Sequence, residues 1–416
     1  MPQVFPFRAV QFKSGSGDVS SLVAPPYDVL DARTKAALLM KDQHNIVAVD
    51  LPHTPAKELG PPAEYEGAAG VYGEWLSSGI LSRRERPAMF AYRQTFSAGA
   101  GRGAAGAKLQ RTGMACTVEA APFGARAGGG ILPHEETFSG PKEDRLALMR
   151  ATRAQLSPIF GLFADEGGGG TEVVRSITVR RAADLTATMI DGVVHEVWTV
   201  EDPAEIGAYQ RALAGQDVFI ADGHHRYTTA LNYLKELGQR GPVAPEHPAR
   251  RCMMVMVGMS DPGLAIWPTH RVLGGMRGYS PEAFVKAVSD AFDVRSIGTD
   301  LTKLEGEMAR AAAGAEGRNV LGLYDFACRG VMVATLRRED PLAARFGGKP
   351  REWRMLDVAL VQHLVVEEVC QPELNGGEAV KWAFPHTIDE VVQIGAGAET
   401  GAGGGKGFAP QLAVVV

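Results

Sequence analysis

Cysteine is scarce in this sequence, and the few cysteines lie far apart. The chain of 416 residues has 4 cysteines, none of them in a Cys-x-x-Cys pair: Cys116, Cys252, Cys328 and Cys370. Zinc ribbons and disulfide frameworks need cysteines at short, regular spacings, so neither is suggested as the basis of this fold. A reducing compartment suits such a chain, and we predict a cytoplasmic protein.

Long apolar runs and long basic runs are also missing. The N-terminus, Met-Pro-Gln-Val-Phe-Pro-Phe-Arg, has no basic segment followed by an apolar stretch, and no later stretch approaches the length of a membrane span. The net charge is −5, and basic residues gather only in short groups, such as those at 83–86 and 250–251. We therefore expect no membrane partner and no nucleic-acid partner.

Two glycine-rich segments look like phosphate-binding motifs but lack their context. Residues 101–106 match the dinucleotide fingerprint Gly-x-Gly-x-x-Gly, yet the pattern after them predicts a strand where the fingerprint needs a helix. Near the C-terminus, Gly407 follows Lys406 where a P-loop needs serine or threonine, and Thr400 stands where its first glycine should be. Neither segment predicts a nucleotide site.

The composition is that of a globular protein with many loops. Apolar residues make up 45% of the chain and charged residues 22%, and the length suits two or three domains. Strand-like and helix-like patterns are mixed, so we predict a mixed α/β (α+β) fold. We expect an N-terminal α/β region at 1–165, a core region at 172–280 and an accessory C-terminal α/β region at 281–416. The glycine-rich residues 166–171 are interpreted as a flexible hinge.

Hydrophobic periodicity and capping residues place the main elements. Helices are predicted from about 32 to 40 after the capping residue Asp31, from 62 to 79, from 202 to 214, and after Ser280-Pro281. A hairpin is predicted to pair 89–96 with 113–119. Further strands are predicted at 46–51, 158–163, 185–190, 192–200, 253–259, 320–324 and 331–336.

The most informative stretch is 217–238, where a buried strand, a tight turn and an amphipathic helix follow one another. The run Asp222-Gly-His-His-Arg226 occupies the turn and opens the helix. The first N–H groups of a helix lack intrahelical partners and the helix dipole is positive there, so a phosphate or carboxylate is favoured. A capped helix with solvated histidines is the simpler alternative. Four adjacent polar groups around a glycine favour an anion site.

The residues of this 222–226 motif suit phosphate chemistry. Gly223 and the N–H groups after it would cradle phosphates together with His224, His225 and Arg226, and the guanidinium would grip phosphate oxygens. His225 can also move a proton near neutral pH. Asp222 can hold a magnesium ion or its water, which makes it the predicted metal ligand and a catalytic residue.

Two further polar clusters are candidates for the same site. Around 131–145, Glu135 is a candidate general base, His134 a phosphate or metal contact, and Lys142 with Arg145 further anion contacts. A polar loop that leads into a helix explains this cluster about as well. The third cluster, 268–271, contributes Arg271 as a possible phosphate contact.

Two resemblances rest on these motifs. Residues 221–227 resemble the signature of ParB/sulfiredoxin-like proteins, which include free serine kinases with the same Asp-Gly-His-His-Arg run. Over nearly its whole length the chain also resembles a bacterial family known as domain of unknown function ten-fifteen. The matching pieces of that family are at 24–28, 92–94, 134–137, 142–145, 221–227 and 268–271. The glycine-rich C-terminus departs from the family, whose members usually carry a polar Pro-Lys-Ser-Thr element there.

The resemblance to free serine kinases implies a ParB/sulfiredoxin-like core and a phosphoryl transferase that acts between a nucleotide and a small hydroxylated metabolite. L-serine or O-phosphoserine is the first candidate substrate, with Mg²⁺ and ADP or ATP as cofactors. In this scheme Glu135 exchanges the hydroxyl proton, and Asp28 replaces it if the N-terminal loop closes the pocket instead. A homo-oligomer is possible.

Two functions of other classes remain open. A ParB-like protein can act as a nucleotide-operated switch without turnover, in which case Glu135 would not be essential. A metal-dependent phosphohydrolase could be built from Asp222, His224, His225 and His134, in which case a transition metal rather than Mg²⁺ would be bound.

Overall fold

A computed structural model describes residues 3–13, 15, 17–56, 58–97, 108–133, 139–265, 268–397 and 408–416, without the side chains of 139–141. The chain forms two compact units, Met1–Ala265 and Ile266–Val416. Each unit combines helices with a β-sheet, so the predicted mixed α/β class is confirmed. No helix in the described ranges is long and apolar enough to cross a membrane.

The first unit is built on one large mixed sheet. The strands of this unit are β1 Val4–Phe5, β2 Val10–Phe12, β3 Leu81–Arg83, β4 Met89–Ser97, β5 Lys108–Glu119, β6 Ile131–Leu132, β7 Ile159–Phe163, β8 Leu185–Thr188, β9 Val194–Val200, β10 Val218–Asp222 and β11 Arg251–Gly258. β2 and β3 form a separate pair. In the described residues the other nine strands form one sheet in the order β6-β10-β7-β11-β5-β4-β9-β8, with β1 added beside β5.

Helices cover this sheet and join its strands. They are α1 Ala32–Lys41, α2 Val47–Asp50, α3 Pro62–Ser78, α4 Ser139–Thr152, α5 Gly169–Arg180, α6 Pro203–Leu213 and α7 His224–Arg240, with short 3-10 turns at Tyr27–Val29, Glu166–Gly168 and Pro248–Arg250. The Asp31 carboxylate caps α1 by accepting from the N–H of Thr34 at 2.7 Å. Asp202 caps α6 in the same way. Gly79 ends α3 in the left-handed conformation, as its sequence position predicts.

One face of the large sheet carries the core of the unit. Side chains along a strand alternate between the two faces. The core-facing set packs against α5, α6 and α7 and comprises Met89, Ala91, Met114, Cys116, Ile159, Phe163, Trp198, Met254 and Met256. Residues at the alternate positions of these strands lie on the opposite face of the sheet, where they line a cavity.

Two local predictions are wrong for this unit. Residues 46–51 contain α2 rather than a strand, because the Asn45 side chain accepts from the N–H of Val47 at 3.0 Å and starts a helical turn. Residues 166–171 form a 3-10 turn and the start of α5 rather than a hinge. There the Asp165 carboxylate accepts from the N–H groups of Gly170 at 2.7 Å and Thr171 at 3.0 Å.

The borders of the units also differ from the predicted regions. The large sheet takes strands from both sides of the predicted border between 165 and 172, so the first two predicted regions share one core. The first unit ends at residue 265, before the predicted border at 280.

The second unit has an antiparallel sheet, in the order β13-β15-β14-β17-β12-β16. Its strands are β12 Arg271–Gly274, β13 Phe292–Gly298, β14 Val320–Asp325, β15 Val331–Leu336, β16 Lys381–Ala383 and β17 Pro410–Val415. Its helices are α8 Pro281–Val288, α9 Leu304–Gly314, α10 Ala343–Phe346, α11 Arg351–Arg354, α12 Asp357–Ala359, the π-helical Leu360–Cys370, α13 Gln371–Leu374 and α14 Ile388–Gly395, with a 3-10 turn at Leu301–Lys303. Ser280 caps α8, as predicted.

Candidate anion-binding site

The 222–226 motif has the strand-turn-helix geometry that its sequence predicts. β10 ends at Asp222, Gly223 turns the chain with φ of 95°, and α7 begins at His224. A side chain at Gly223 would be strained by that φ, and its Cβ would come within 3.1 Å of the Arg226 guanidinium. Gly223, the residue before α7, has no side chain and so supplies no cap of its own. The turn places the amino end of a 17-residue helix directly after Asp222.

Asp222 and Arg226 hold each other across this turn. The Arg226 guanidinium donates to the Asp222 carboxylate and to the carbonyl of Pro158. The Arg226 side chain is 13% exposed, whereas that of Asp222 is 58% exposed. Arg226, the predicted phosphate ligand, and Asp222, the predicted Mg²⁺ ligand, are thus neighbours. A phosphate at Arg226 would compete with Asp222, and a cation at Asp222 would release Arg226.

The two histidines of the motif have different surroundings. His224 is buried with 3% exposure, whereas His225 is half-buried. Gly223 and both histidines lie outside the wall of the adjacent cavity, which includes Asp222 and Arg226. A phosphate contact from His224 would therefore require a local rearrangement, whereas His225 is accessible in part.

A cavity of about 1360 Å³ lies against the face of the large sheet that is opposite the core. Its wall includes alternate residues of five strands: Tyr92 and Gln94 on β4, Arg111 on β5, Phe160 on β7, His195 on β9 and Val255 on β11. Pro25 and Pro26 of the N-terminal segment also line it. Three signature pieces that are far apart in sequence, at 24–28, 92–94 and 221–227, therefore reach one cavity.

Arginine dominates the charges of this cavity. The wall includes Arg8, Arg83, Arg111, Arg153, Arg226 and Arg251, against Asp50, Asp191, Asp222 and Glu246. Two of these acids are already engaged, Asp222 with Arg226 and Asp50 with the neighbouring Arg145. The remaining balance is positive, so the cavity favours an anionic ligand.

Arg145 is part of the protein interior rather than an open anion contact. Its side chain is 6% exposed and donates to the Asp50 carbonyl at 2.7 Å and to the Asp144 carboxylate at 2.9 Å. The guanidinium also lies 3.9 Å from the ring centroid of Tyr27. Burial raises the pKa of Tyr27 to about 12, with the Arg145 charge acting in the opposite direction. Ser157 binds the second oxygen of Asp50 at 2.6 Å.

Asp144 is the centre of this buried network. It is fully buried, and one carboxylate oxygen accepts from the Tyr65 hydroxyl at 2.8 Å and lies 3.0 Å from Nε2 of His53. Burial is the main cause that raises the pKa of Tyr65 to about 12. The network ties α3 and α4 to the segment that carries Asp50, and so fixes one wall of the cavity.

Glu135 and His134 lie outside the described residues, so their predicted roles stay predictions. The strand before them is described: β6 pairs with β10 in parallel, with Leu132 opposite Phe219. The chain therefore leaves β6 at the same end of the sheet at which β10 delivers Asp222. Lys142 and the fallback base Asp28 are both half-buried.

Arg271 belongs to the second unit. It donates to the carbonyl of Thr269, and its guanidinium lies 5.5 Å from the ring centroid of Phe384. Burial lowers its pKa below the usual arginine value. These contacts give it a defined local position, and its predicted contact with phosphate remains a prediction.

One carboxylate of the 222–226 motif, that of Asp222, is largely exposed. Among the described residues, no three His, Cys, Asp or Glu side chains gather closely enough to hold a metal ion. Mg²⁺ is commonly held by one or two carboxylates together with substrate phosphates and water, so Asp222 alone is compatible with it. His134, a further ligand of the predicted transition-metal site, lies outside the described residues.

Sequence reasoning missed three residues of the cavity wall. They are Arg111, Phe160 and His195. The available signal was alternation, because Arg111 is the ladder partner of Gln94 in the predicted hairpin. Strand alternation identifies such a pair, but it leaves open which face of the sheet is the core.

Comparison with known proteins gives a family and no further relative. The model of the family described as Protein of unknown function (DUF1015) matches residues 4–359. The chain belongs to this family. No curated protein and no solved structure matches it. In this DUF1015 protein the match covers all but the first three residues of the first unit and the greater part of the second, so it includes the cavity and the 222–226 motif.

Proposed function

We propose that this protein transfers a phosphoryl group between a nucleotide and a small hydroxylated metabolite, with L-serine or O-phosphoserine as the first candidate. The observation that carries the proposal is the position of Asp222 and Arg226. They meet at the amino end of α7, on the wall of a cavity with more arginines than available carboxylates. The serine assignment rests on the resemblance to free serine kinases.

The geometry supports a division of roles at the turn. Arg226 would bind phosphate oxygens, and the N–H groups at the start of α7 would add to the positive potential. His225, which is half-buried, would donate to a phosphate oxygen. Asp222 would hold Mg²⁺, which when bound would neutralise charge on the phosphates of ADP or ATP. The Asp222–Arg226 pair would open as each partner takes its own part of the ligand.

A phosphoryl acceptor also needs a base for its hydroxyl proton. Glu135 is the proposed base because it follows β6, which runs parallel to β10 and points toward the same end of the sheet. Asp222 is less suited to this role, since a carboxylate that holds Mg²⁺ is a poor proton acceptor. Asp28 is the second candidate, on the 3-10 turn that follows Pro25 and Pro26 of the cavity wall.

Phosphorus NMR tests the proposal directly. The full chain is incubated with Mg²⁺ and ATP plus L-serine, and in parallel with Mg²⁺ and ADP plus O-phospho-L-serine. We expect the phosphorus signal of one pair to convert into that of the other pair. Arg226→Ala should lose this conversion. Arg150→Ala is the matched control, because Arg150 also contacts α7, through Glu236, but on the exposed surface.

Two results would replace the proposal with one of its rivals. Nucleotide binding that depends on Arg226, without transfer to any hydroxylated metabolite in a broad panel, would identify a nucleotide-operated switch. Release of inorganic phosphate that depends on a bound transition metal would identify a phosphohydrolase.

A further inference from the structure

Arg111 is a second cation of the cavity, held by neutral groups. It lies on β5 opposite Gln94 of β4, and its Nε donates to the Gln94 side-chain oxygen at 3.1 Å. Its guanidinium lies 4.8 Å from the ring centroid of Phe160 and 5.7 Å from that of Phe96. Two rings and one amide thus orient the guanidinium without neutralising it.

Arg93, in the same hairpin, differs from Arg111 because a carboxylate pairs with it. It is the strand neighbour of Gln94 and points to the opposite face of the sheet, where Glu196 binds it through two bonds of 2.6 and 2.8 Å. In the described part of the chain, no carboxylate forms an ion pair with Arg111. Asp261 acts on Arg111 through space, but its oxygens accept from Thr112 and from the N–H of Gly263.

Two polar side chains of the cavity wall near Arg111, those of Tyr92 and His195, do not neutralise its charge. The hydroxyl of Tyr92 and Nδ1 of His195 lie 2.5 Å apart. Burial lowers the pKa of His195 and raises that of Tyr92, so both are neutral near pH 7. A half-buried guanidinium that forms no ion pair within the described residues favours an anion supplied by a ligand.

Arg111 is also close to the 222–226 motif. Phe160, over whose ring Arg111 lies, is the ladder partner of Asp222 across β7 and β10. Arg226 donates to the carbonyl of Pro158, two residues before Phe160 in the chain. Both guanidiniums therefore contact residues 158–160, so that one small ligand can reach both.

We infer that Arg111 binds a second oxyanion of the substrate, the carboxylate of the phosphoryl acceptor, while Arg226 binds the phosphate. This inference rests on the proposed function. A guanidinium fork matches a planar carboxylate, and a second phosphate of the nucleotide would present the same oxyanion chemistry. Nε and one Nη of Arg111 donate to Gln94, so the guanidinium keeps further N–H groups with which it can bind a ligand.

A pair of ligands that differ only in the carboxylate tests the assignment. O-phospho-L-serine carries it and O-phosphoethanolamine lacks it, and both are titrated into the full chain by calorimetry. We expect the wild type to prefer O-phospho-L-serine by about 10- to 100-fold, the effect of one charge-assisted hydrogen bond. Arg111→Gln should bind both ligands equally, Arg111→Lys should recover part of the preference, and Arg93→Gln should keep it.

The other outcomes are distinct. A wild type that binds both ligands equally overturns the carboxylate assignment even if a variant of Arg111 fails to fold. If instead Arg111→Gln weakens ADP more than AMP, the oxyanion is a nucleotide phosphate, and the carboxylate assignment is again overturned. Arg226-dependent binding of ADP without any preference between the two phosphometabolites rejects this inference alone. Absence of both ADP binding and O-phospho-L-serine binding rejects the proposed function.

Discussion

Removal of the Arg226 guanidinium is the most direct perturbation of the candidate site. In the free protein the guanidinium has two partners, the exposed Asp222 carboxylate and the carbonyl of Pro158. The ion pair with a largely exposed carboxylate contributes at most about 1 kcal/mol to stability. We therefore expect Arg226→Ala to fold and to melt only a few degrees below the wild type.

The effect of this substitution on ligand binding is larger. A hydrogen bond to a charged group contributes about 1.5–3 kcal/mol. Since phosphate must replace Asp222 at the guanidinium, the lower part of that range applies, about 1.5–2 kcal/mol. This corresponds to a dissociation constant for Mg·ADP that is about 10- to 30-fold higher. Without Mg²⁺ the wild type should also bind ADP more weakly, because Asp222 then stays on Arg226.

Thermal shift at a fixed, saturating ADP concentration measures this difference. Ligand stabilisation grows with the logarithm of concentration over dissociation constant, so the variant should show about 1.5–2 kcal/mol less stabilisation than the wild type. Arg150→Ala, which removes an exposed arginine from α4, should keep the full shift. Equal ADP-induced stabilisation of Arg226→Ala and the wild type would refute the assignment of the 222–226 motif as a phosphate site.

Three further results are expected. Glu135→Gln should keep nucleotide binding and lose turnover by roughly 10²–10⁴-fold in the phosphorus NMR assay, whereas full activity would move the role of base to Asp28. Asp144→Ala should lower the free energy of unfolding in urea by about 3–5 kcal/mol, because the buried Tyr65 hydroxyl loses its acceptor and the interior charge of Arg145 keeps only the longer contact with the Asp50 carboxylate; a loss below about 1 kcal/mol would contradict the network. At pH 8 Ellman's reagent should react first with one thiol, the exposed Cys328, although its hydrogen bond with Asp325 raises its pKa. The other three should react far more slowly, since burial blocks access and raises their pKa to about 12: Cys116, Cys252 and Cys370. Those three thiols keep their protons in the folded state, so stability should fall as the pH rises from about 9 to 12, and flat stability over that window would be inconsistent with their burial.

Local sequence determined those features that depend on neighbouring residues. The turn at Gly223, the caps at Asp31, Asp202 and Ser280, and the pairing of β4 with β5 all follow from short-range chemistry: allowed backbone angles, side-chain bonds to nearby N–H groups and alternating hydrophobicity. The same reasoning failed at 46–51. The alternating valines there predict a strand, whereas Asn45 starts a helical turn that buries Val47 and Val49.

Sequence motifs also predicted which residues belong to the family signature, but not what each one contacts. Of 92–94, Tyr92 and Gln94 face the cavity while Arg93 faces Glu196. Alternation along a strand makes this split inevitable, yet the face that becomes the cavity is decided by the helices that pack on the other side.

Only the tertiary structure decided which charged residues of the site pair with one another. From sequence, Asp222 is a predicted Mg²⁺ ligand, and Arg226 and Arg145 are both predicted anion contacts. Long-range packing buries Arg145 beside Asp50 and Asp144, and it places Arg226 against Pro158 and Asp222 at the cavity wall. Packing also leaves Arg111, which no motif singled out, without a carboxylate partner in the described residues. Ion pairing depends on the distance between groups far apart in the chain, and that distance exists only once the sheet has formed.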